Sequence, residues 1–212
     1  MKYLVVLLLF LTLNADEYSF RVAYGKASTK DLGEILLLNS DRHPDNLSVL
    51  ALDGGYLLKK SIYELPLDLY IKGGVSYFDE ADKHINGFGP LAVIYDGERS
   101  DVYEGTIYIK VYYNFDFLNN RVRIGVGEGL SYTSSVLWSE EKEATQEKEG
   151  YSKLLNYLDI SIDLNIGKLI KYKPLDTAYI GWTIKHRSGI FGIFNGDDGG
   201  SNYNTISLET NF

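Results

Sequence analysis

YEGTIYIKVYYNFDF, Tyr103 to Phe117, alternates along its whole length. Ile107, Ile109, Val111, Tyr113, Phe115 and Phe117 share one parity, while Glu104, Thr106, Tyr108, Lys110, Tyr112, Asn114 and Asp116 share the other. In an extended strand, where successive side chains point to opposite faces, this gives one apolar and one polar face. A soluble sandwich alternates too. Length separates the two cases, because sustained alternation over about 9 to 11 residues is what a tilted strand needs to cross a bilayer.

The same pattern recurs along the chain. Leu65, Leu67, Leu69, Ile71 and Val75 oppose Glu64, Asp68, Tyr70, Lys72 and Ser76, and Leu158, Ile160, Ile162, Leu164 and Ile166 oppose Asp159, Ser161, Asp163 and Asn165. Tyr18, Phe20, Val22 and Tyr24 oppose Ser19, Arg21 and Ala23; Val122, Ile124 and Val126 oppose Arg121, Arg123 and Gly125. Strands are expected near residues 17–26, 47–59, 62–77, 103–117, 120–132, 153–167, 176–188 and 202–212. The second is interrupted by Asp53, Gly54 and Gly55, and Gly33 to Leu38 reads as a further piece of strand, so ten strands stay open beside eight.

Loop lengths support closure into a small barrel. Short connections at Lys60–Ser61, Leu118–Asn119 and Gly167–Leu175 alternate with long ones at 27–46, 78–102, 133–152 and 189–201. Outer-membrane barrels have short periplasmic turns and long outer loops. The expected fold is therefore all-β: an eight-stranded antiparallel transmembrane β-barrel of the bacterial outer membrane. The chain also ends on an alternating strand with a terminal Phe212, as such barrels do.

The N-terminal MKYLVVLLLFLTLNA has a lysine, an apolar run from Leu4 to Leu13 and a small residue at Ala15. It reads as a cleaved signal peptide, residues 1–15, ahead of a barrel domain of residues 16–212. Losing Lys2 takes the formal charge from −8 to −9, which argues against nucleic acid as a partner. There is no cysteine, hence no disulfide framework.

Eight strands leave room inside only for side chains. The inward set, Arg21, Asp68, Lys72, Lys110, Arg121, Arg123, Asp159, Asp163 and Lys185, is mixed in sign and suited to an ion-paired plug rather than a pore. SEEKEATQEKEG, Ser139 to Gly150, reads as a solvated outer loop. His43 and His84 fall in outer loops without an assigned role, and Asp197 with Asp198 reads as a solvated turn.

One stretch breaks the apolar rule. In WTIKHRSG the lipid-facing parity runs Ile180, Trp182, Ile184, His186, Ser188. Residues two apart on a strand share a face, about 6.6–6.8 Å apart at their alpha carbons. A Ser hydroxyl and an imidazole so placed can act as nucleophile and base of an acyl hydrolase if a third group fixes the imidazole. Asn202, on the outward parity of the last strand, is placed to accept from the other ring nitrogen. Backbone N–H groups of the glycine-rich loop, Gly189 and Gly192 among them, can hold an oxyanion. The plainer alternative leaves both side chains in the aqueous rim. Outward residues near the outer end of a strand touch the lipid A leaflet, where a nucleophile would meet an ester without extracting the lipid.

From Trp182 to Phe212 the chain resembles the PagL-type lipid A 3-O-deacylases, eight-stranded outer-membrane barrels with a C-terminal His-x-Ser motif, a Gly/Asn-rich loop and a final strand that supplies the acid. His186, Ser188, Gly192, Asn195, Gly199–Gly200, Asn202 and Tyr203 fall in that order. The chain departs from the family in three places: Gly189 stands where Asn usually follows the Ser, Asn202 stands where the best-known members have Glu, and the loop is about two residues longer, so that Asp198 competes with Asn195 for the oxyanion position. Glu128, on the outward parity of the fifth strand, is an alternative acid only if a bulge or barrel closure brings it near.

The resemblance implies an outer-membrane serine esterase that removes an ester-linked acyl chain from lipid A in lipopolysaccharide. Ser188 would be the nucleophile, His186 the base, Asn202 its orienting group, and Gly189, Gly192 and Asn195 the oxyanion donors. Neither metal nor organic cofactor is required. The alternatives are a non-catalytic adhesin or membrane-stabilising barrel and, third, an outer-membrane phospholipase, which usually needs about twelve strands and calcium. Which acyl chain is removed, and whether the protein forms a homodimer, is left open by the sequence.

Overall fold

The computed structural model describes residues 17–80, 83–86, 93–96, 100–140, 152–189 and 200–212. The expected signal segment, residues 1–15, lies outside them. Eight long antiparallel strands close on themselves: β1 (Tyr18–Ser28), β2 (Ser48–Lys59), β3 (Leu67–Asp79), β6 (Val102–Phe117), β7 (Asn120–Thr133), β8 (Leu154–Asn165), β9 (Ala178–Ser188) and β10 (Gly200–Asn211). Each pairs with its neighbour along the chain, and β1 closes the ring against β10, with Ser19 opposite Asn211 and Ser28 opposite Asn202. A separate hairpin, β4 (Lys83–Asn86) with β5 (Val93–Asp96), belongs to an outer loop. No helix of the described residues is long and apolar enough to cross a membrane. The strands cross it instead.

Two expectations about elements are corrected. Gly33 to Leu38 is not a strand: Leu32–Leu36 forms a short helix, α1, in the first outer loop, so the barrel has eight strands, not ten. The third strand begins at Leu67 rather than at residue 62, because Ser61, Tyr63 and Glu64 adopt left-handed backbone (φ 51°, 51° and 64°), which an extended ladder does not accommodate. The break at Asp53–Gly55 has a packing cause and does not interrupt β2. Asp53 points into the lumen to pair with Arg21 (3.1 Å), and a Cβ at Gly55 would lie 2.5 Å from the Ser19 hydroxyl and 2.8 Å from Lys72.

The outer wall is a band of exposed aliphatic residues, including Val22, Leu52, Val75, Ile107, Ile109, Ile124, Val126, Ile162, Ile206 and Leu208. Tyrosines and phenylalanines rim it at both ends: Tyr18, Tyr56, Tyr113 and Phe117 toward the termini, Tyr24, Tyr103 and Tyr132 toward the long loops. Aliphatic belt and aromatic girdles match the depth profile of a bilayer.

The lumen is filled by ion pairs. Arg21 joins Asp53 and Asp159 (3.1 and 2.6 Å), and Lys110 also pairs with Asp159. Lys72 meets Glu209 at 2.9 Å, Arg123 meets Asp163 at 3.1 Å, and Lys185 meets Glu104 at 2.6 Å. Tyr108, Tyr112 and Tyr157 donate their hydroxyls to Asp53, Glu209 and Asp159. Two members of the expected inward set line the open end of the lumen, in one cavity with Tyr112 and Arg123. Arg121 is half-exposed at the terminus-side mouth, paired with Asp116 at 2.6 Å, and Asp68 accepts there from Asn114. Near the barrel end the lumen widens into water, which solvates these groups better than a dry interior would. Glu140, expected in a solvated loop, is buried against Arg187 at 2.9 Å; residues 141–150 of that loop lie outside the described ones.

Candidate functional site on the outer wall

Register brings His186 and Asn202 together. His186 sits opposite Asn202 of β10 on one side and Leu158 of β8 on the other, and Ser188 sits opposite Gly200 and Asn156. Arg187, between the two site residues, points into the lumen and holds Glu140 through two hydrogen bonds (2.9 and 3.0 Å). That inward anchor fixes the outer end of β9, so His186 and Ser188 are displayed outward on a rigid element.

A 2.8 Å hydrogen bond joins His186 Nδ1 to the Asn202 side-chain oxygen. The Asn202 amide nitrogen donates to the backbone carbonyl of Lys30 at 3.0 Å. A carbonyl only accepts, so the Asn202 oxygen must face the ring, and Nδ1 must carry the proton. Nε2 is then an unprotonated base. Among the described residues no hydrogen bond joins Ser188 to His186; the hydroxyl lies two residues along the same face, half-buried. Nucleophile–base contacts often tighten only when substrate binds.

Gly189 continues from β9 and is buried. Gly192 and Asn195, the other expected oxyanion donors, lie outside the described residues, as do Asp197 and Asp198. Glu128 is two strands from His186: it faces Leu158, which faces His186, so a leucine separates them by roughly two strand spacings, about 9–10 Å. It is not a neighbour of His186 in the sheet. Among the described residues there is no group of three or more His, Asp or Glu that could hold a metal ion. His43 is buried in the first outer loop, its ring accepting from the Asp45 amide.

The sequence reading missed the first outer loop's part in this region. Ser28 lies on the lipid-facing parity of β1, next to Asn202, yet is only 7% exposed. The loop folds down over the wall: Asp41 accepts from the Ser28 hydroxyl, and Asn204 donates to Ser40. Between loop and wall runs a groove of about 440 Å³ lined by Tyr24, Lys26, Arg42, Trp182, Asn204 and Ile206, among others. Barrel closure makes Ser28 a readable neighbour of Asn202. The contacts of Lys30, Ser40 and Asp41 carry no sequence motif.

No protein-family model and no curated protein sequence matches this chain. Solved structures do. The crystal structure of the outer membrane enzyme PagL matches with a TM-score of 0.57 at 12% identity, over 92% of this chain and 99% of that one. This is the fold of an eight-stranded outer-membrane barrel. Two further matches are the Neisserial surface protein A (TM-score 0.45, 13% identity, 93% of this chain and 98% of that one) and the Yersinia pestis outer membrane protein Ail (0.37, 11%, 91% and 98%).

Proposed function

We propose that this chain is an outer-membrane acyl ester hydrolase that removes an ester-linked acyl chain from lipid A. The observation that carries the reading is the 2.8 Å bond between His186 Nδ1 and Asn202, on the lipid-facing wall and two residues from Ser188. An imidazole protonated at Nδ1 and bare at Nε2 is set as a general base. The PagL-like order of residues and the fold shared with that enzyme support the same direction.

In this mechanism Ser188 Oγ attacks the ester carbonyl while His186 Nε2 takes its proton. The tetrahedral oxyanion is held by the Gly189 backbone N–H, with Gly192 and Asn195 as further donors. Collapse expels the sugar hydroxyl, which takes the proton from His186. Water then attacks the acyl-serine with His186 as base, releasing the fatty acid and regenerating Ser188. Asn202 accepts from Nδ1 throughout and stabilises the imidazolium. The groove beside Trp182 and Ile206 receives an acyl chain. The substrate stays in the membrane throughout.

The separation of Ser188 from His186 favours a second reading, a non-catalytic barrel that works through its outer loops. Purified protein in detergent, incubated with lipid A, separates the two. Release of free fatty acid by the wild type and its loss, by about 10⁴-fold or more, in Ser188→Ala supports the hydrolase. No fatty acid release by the folded wild type supports the loop-binding barrel.

A further inference from the structure

Ser28, Asn202 and Asn204 face outward at the outer ends of β1 and β10, and all three are bonded to one segment, residues 30–41. The bonds follow an order. The Asp41 carboxylate accepts from the Ser28 hydroxyl (2.9 Å), the Thr29 amide (2.9 Å) and the Thr29 hydroxyl (2.5 Å). The Lys30 amide donates to Ser28 Oγ at 3.1 Å. The backbone from Ser28 to Lys30 is thus held on both sides, with the Lys30 carbonyl turned onto the Asn202 amide at 3.0 Å.

This arrangement bears on the identity of residue 202. A carboxylate there would set acceptor against acceptor at the Lys30 carbonyl, which is unfavourable at a half-buried contact. An amide satisfies both neighbours, donating to Lys30 and accepting from His186. Asn rather than an acid at this position is therefore matched to the loop that covers it.

We propose that residues Ser28–Asp41 form a positioning strap, anchored by Asp41, that presents the Lys30 carbonyl to Asn202 and through it holds His186 in the Nδ1–H tautomer. Asp41 touches neither the imidazole nor any reacting atom. It is a positioning residue, and its consequence for turnover rests on the hydrolase reading above, while its effect on the ring does not.

The test reads the ring directly. Full-length protein labelled with ¹⁵N-histidine is folded in detergent micelles, folding is checked by heat-modifiable gel mobility, and the His186 signals are assigned by their loss in His186→Gln. At about pH 8, where an ordinary imidazole is neutral, the wild type shows protonated Nδ1 and bare Nε2. Asp41→Ala gives a mixture of tautomers, Asp41→Asn a smaller change, and Asn202→Asp a ring signal unlike the wild type. Thr29→Val, which removes one donor to Asp41 and leaves the barrel untouched, moves the signal the same way as Asp41→Ala. Ester hydrolysis falls about 10- to 100-fold in kcat with KM unchanged in Asp41→Ala. A tautomer shift in Asp41→Ala or Thr29→Val supports the strap even if no ester is hydrolysed by any variant. A wild-type ring protonated at Nε2, or folded Asp41→Ala and Thr29→Val with wild-type ring signals, overturns it, whatever the activity.

Discussion

At the scale of single residues the site depends on a relay of one proton position. Asn202→Ala removes the acceptor for Nδ1–H and frees the ring to rotate and change tautomer, so the proposed hydrolysis should fall by roughly 10²- to 10⁴-fold in kcat with the barrel still folded; steady-state kinetics on a soluble ester checks this. Asp41 offers a titration. Its carboxyl is held below its ordinary value of 3.8, first by the Thr29 hydroxyl and further by the Thr29 amide and Ser28. A depressed carboxylate contributes stability above its unfolded pKa and loses it as pH falls through the lowered folded value. The strap is thus fully anchored at neutral pH and released only in acid. A carboxyl-detected NMR titration should show Asp41 titrating below 3.8 in the wild type and closer to 3.8 in Thr29→Val. His186 and Ser188 were legible in the sequence because two polar residues interrupted an apolar parity. Lys30 was not, since its bond to Asn202 joins residues 172 apart in sequence through a backbone carbonyl that no side-chain pattern marks.

Among the elements, strands were read well and loops poorly, for a physical reason. In this barrel one face of every strand meets lipid and the other a packed ionic lumen, so period-two alternation survives nearly unbroken. It fails where backbone conformation rather than burial decides, as at Ser61–Glu64. It also fails in the apolar run Gly33–Leu38, where a short apolar stretch does not separate helix from strand. The β6–β7 turn shows what such backbone demands cost. Leu118 and Asn119 both have positive φ (49° and 62°), the pattern of a two-residue hairpin turn that favours Asn or Gly at its first position. Leu118 is 83% exposed, so little packing offsets its strain. Leu118→Asn should stabilise the fold by about 0.5–1 kcal/mol, measured as a rise in urea midpoint for the barrel folded into lipid vesicles. The glycine-rich connection from β9 to β10, in contrast, carries expected oxyanion donors that alternation cannot place.

For the whole molecule, the plug makes closure and rigidity two sides of one design. Asp159 is shared by Arg21 and Lys110 with no solvent exposure, so Asp159→Ala leaves two buried cations short of a partner and should cost about 3–5 kcal/mol, read from equilibrium unfolding. Its lumen should give no ion-conducting steps in planar bilayers. A barrel filled this way leaves its outer wall and loops for the proposed chemistry, where the parity of His186, Ser188 and Asn202 places the candidate site. The composition of the plug was legible as a mixed-sign inward set, with Glu104 on the polar parity of its strand, although Glu140, Arg187 and Glu209 only emerge as members once the register is known. The central claim is that the outer wall hydrolyses an ester of lipid A through Ser188. Mass spectra of lipid A from cells producing the wild-type protein or Ser188→Ala, at matched levels of folded barrel, test it most directly. The account requires loss of one acyl chain with the wild type and intact lipid A with Ser188→Ala; identical spectra from the two would contradict it.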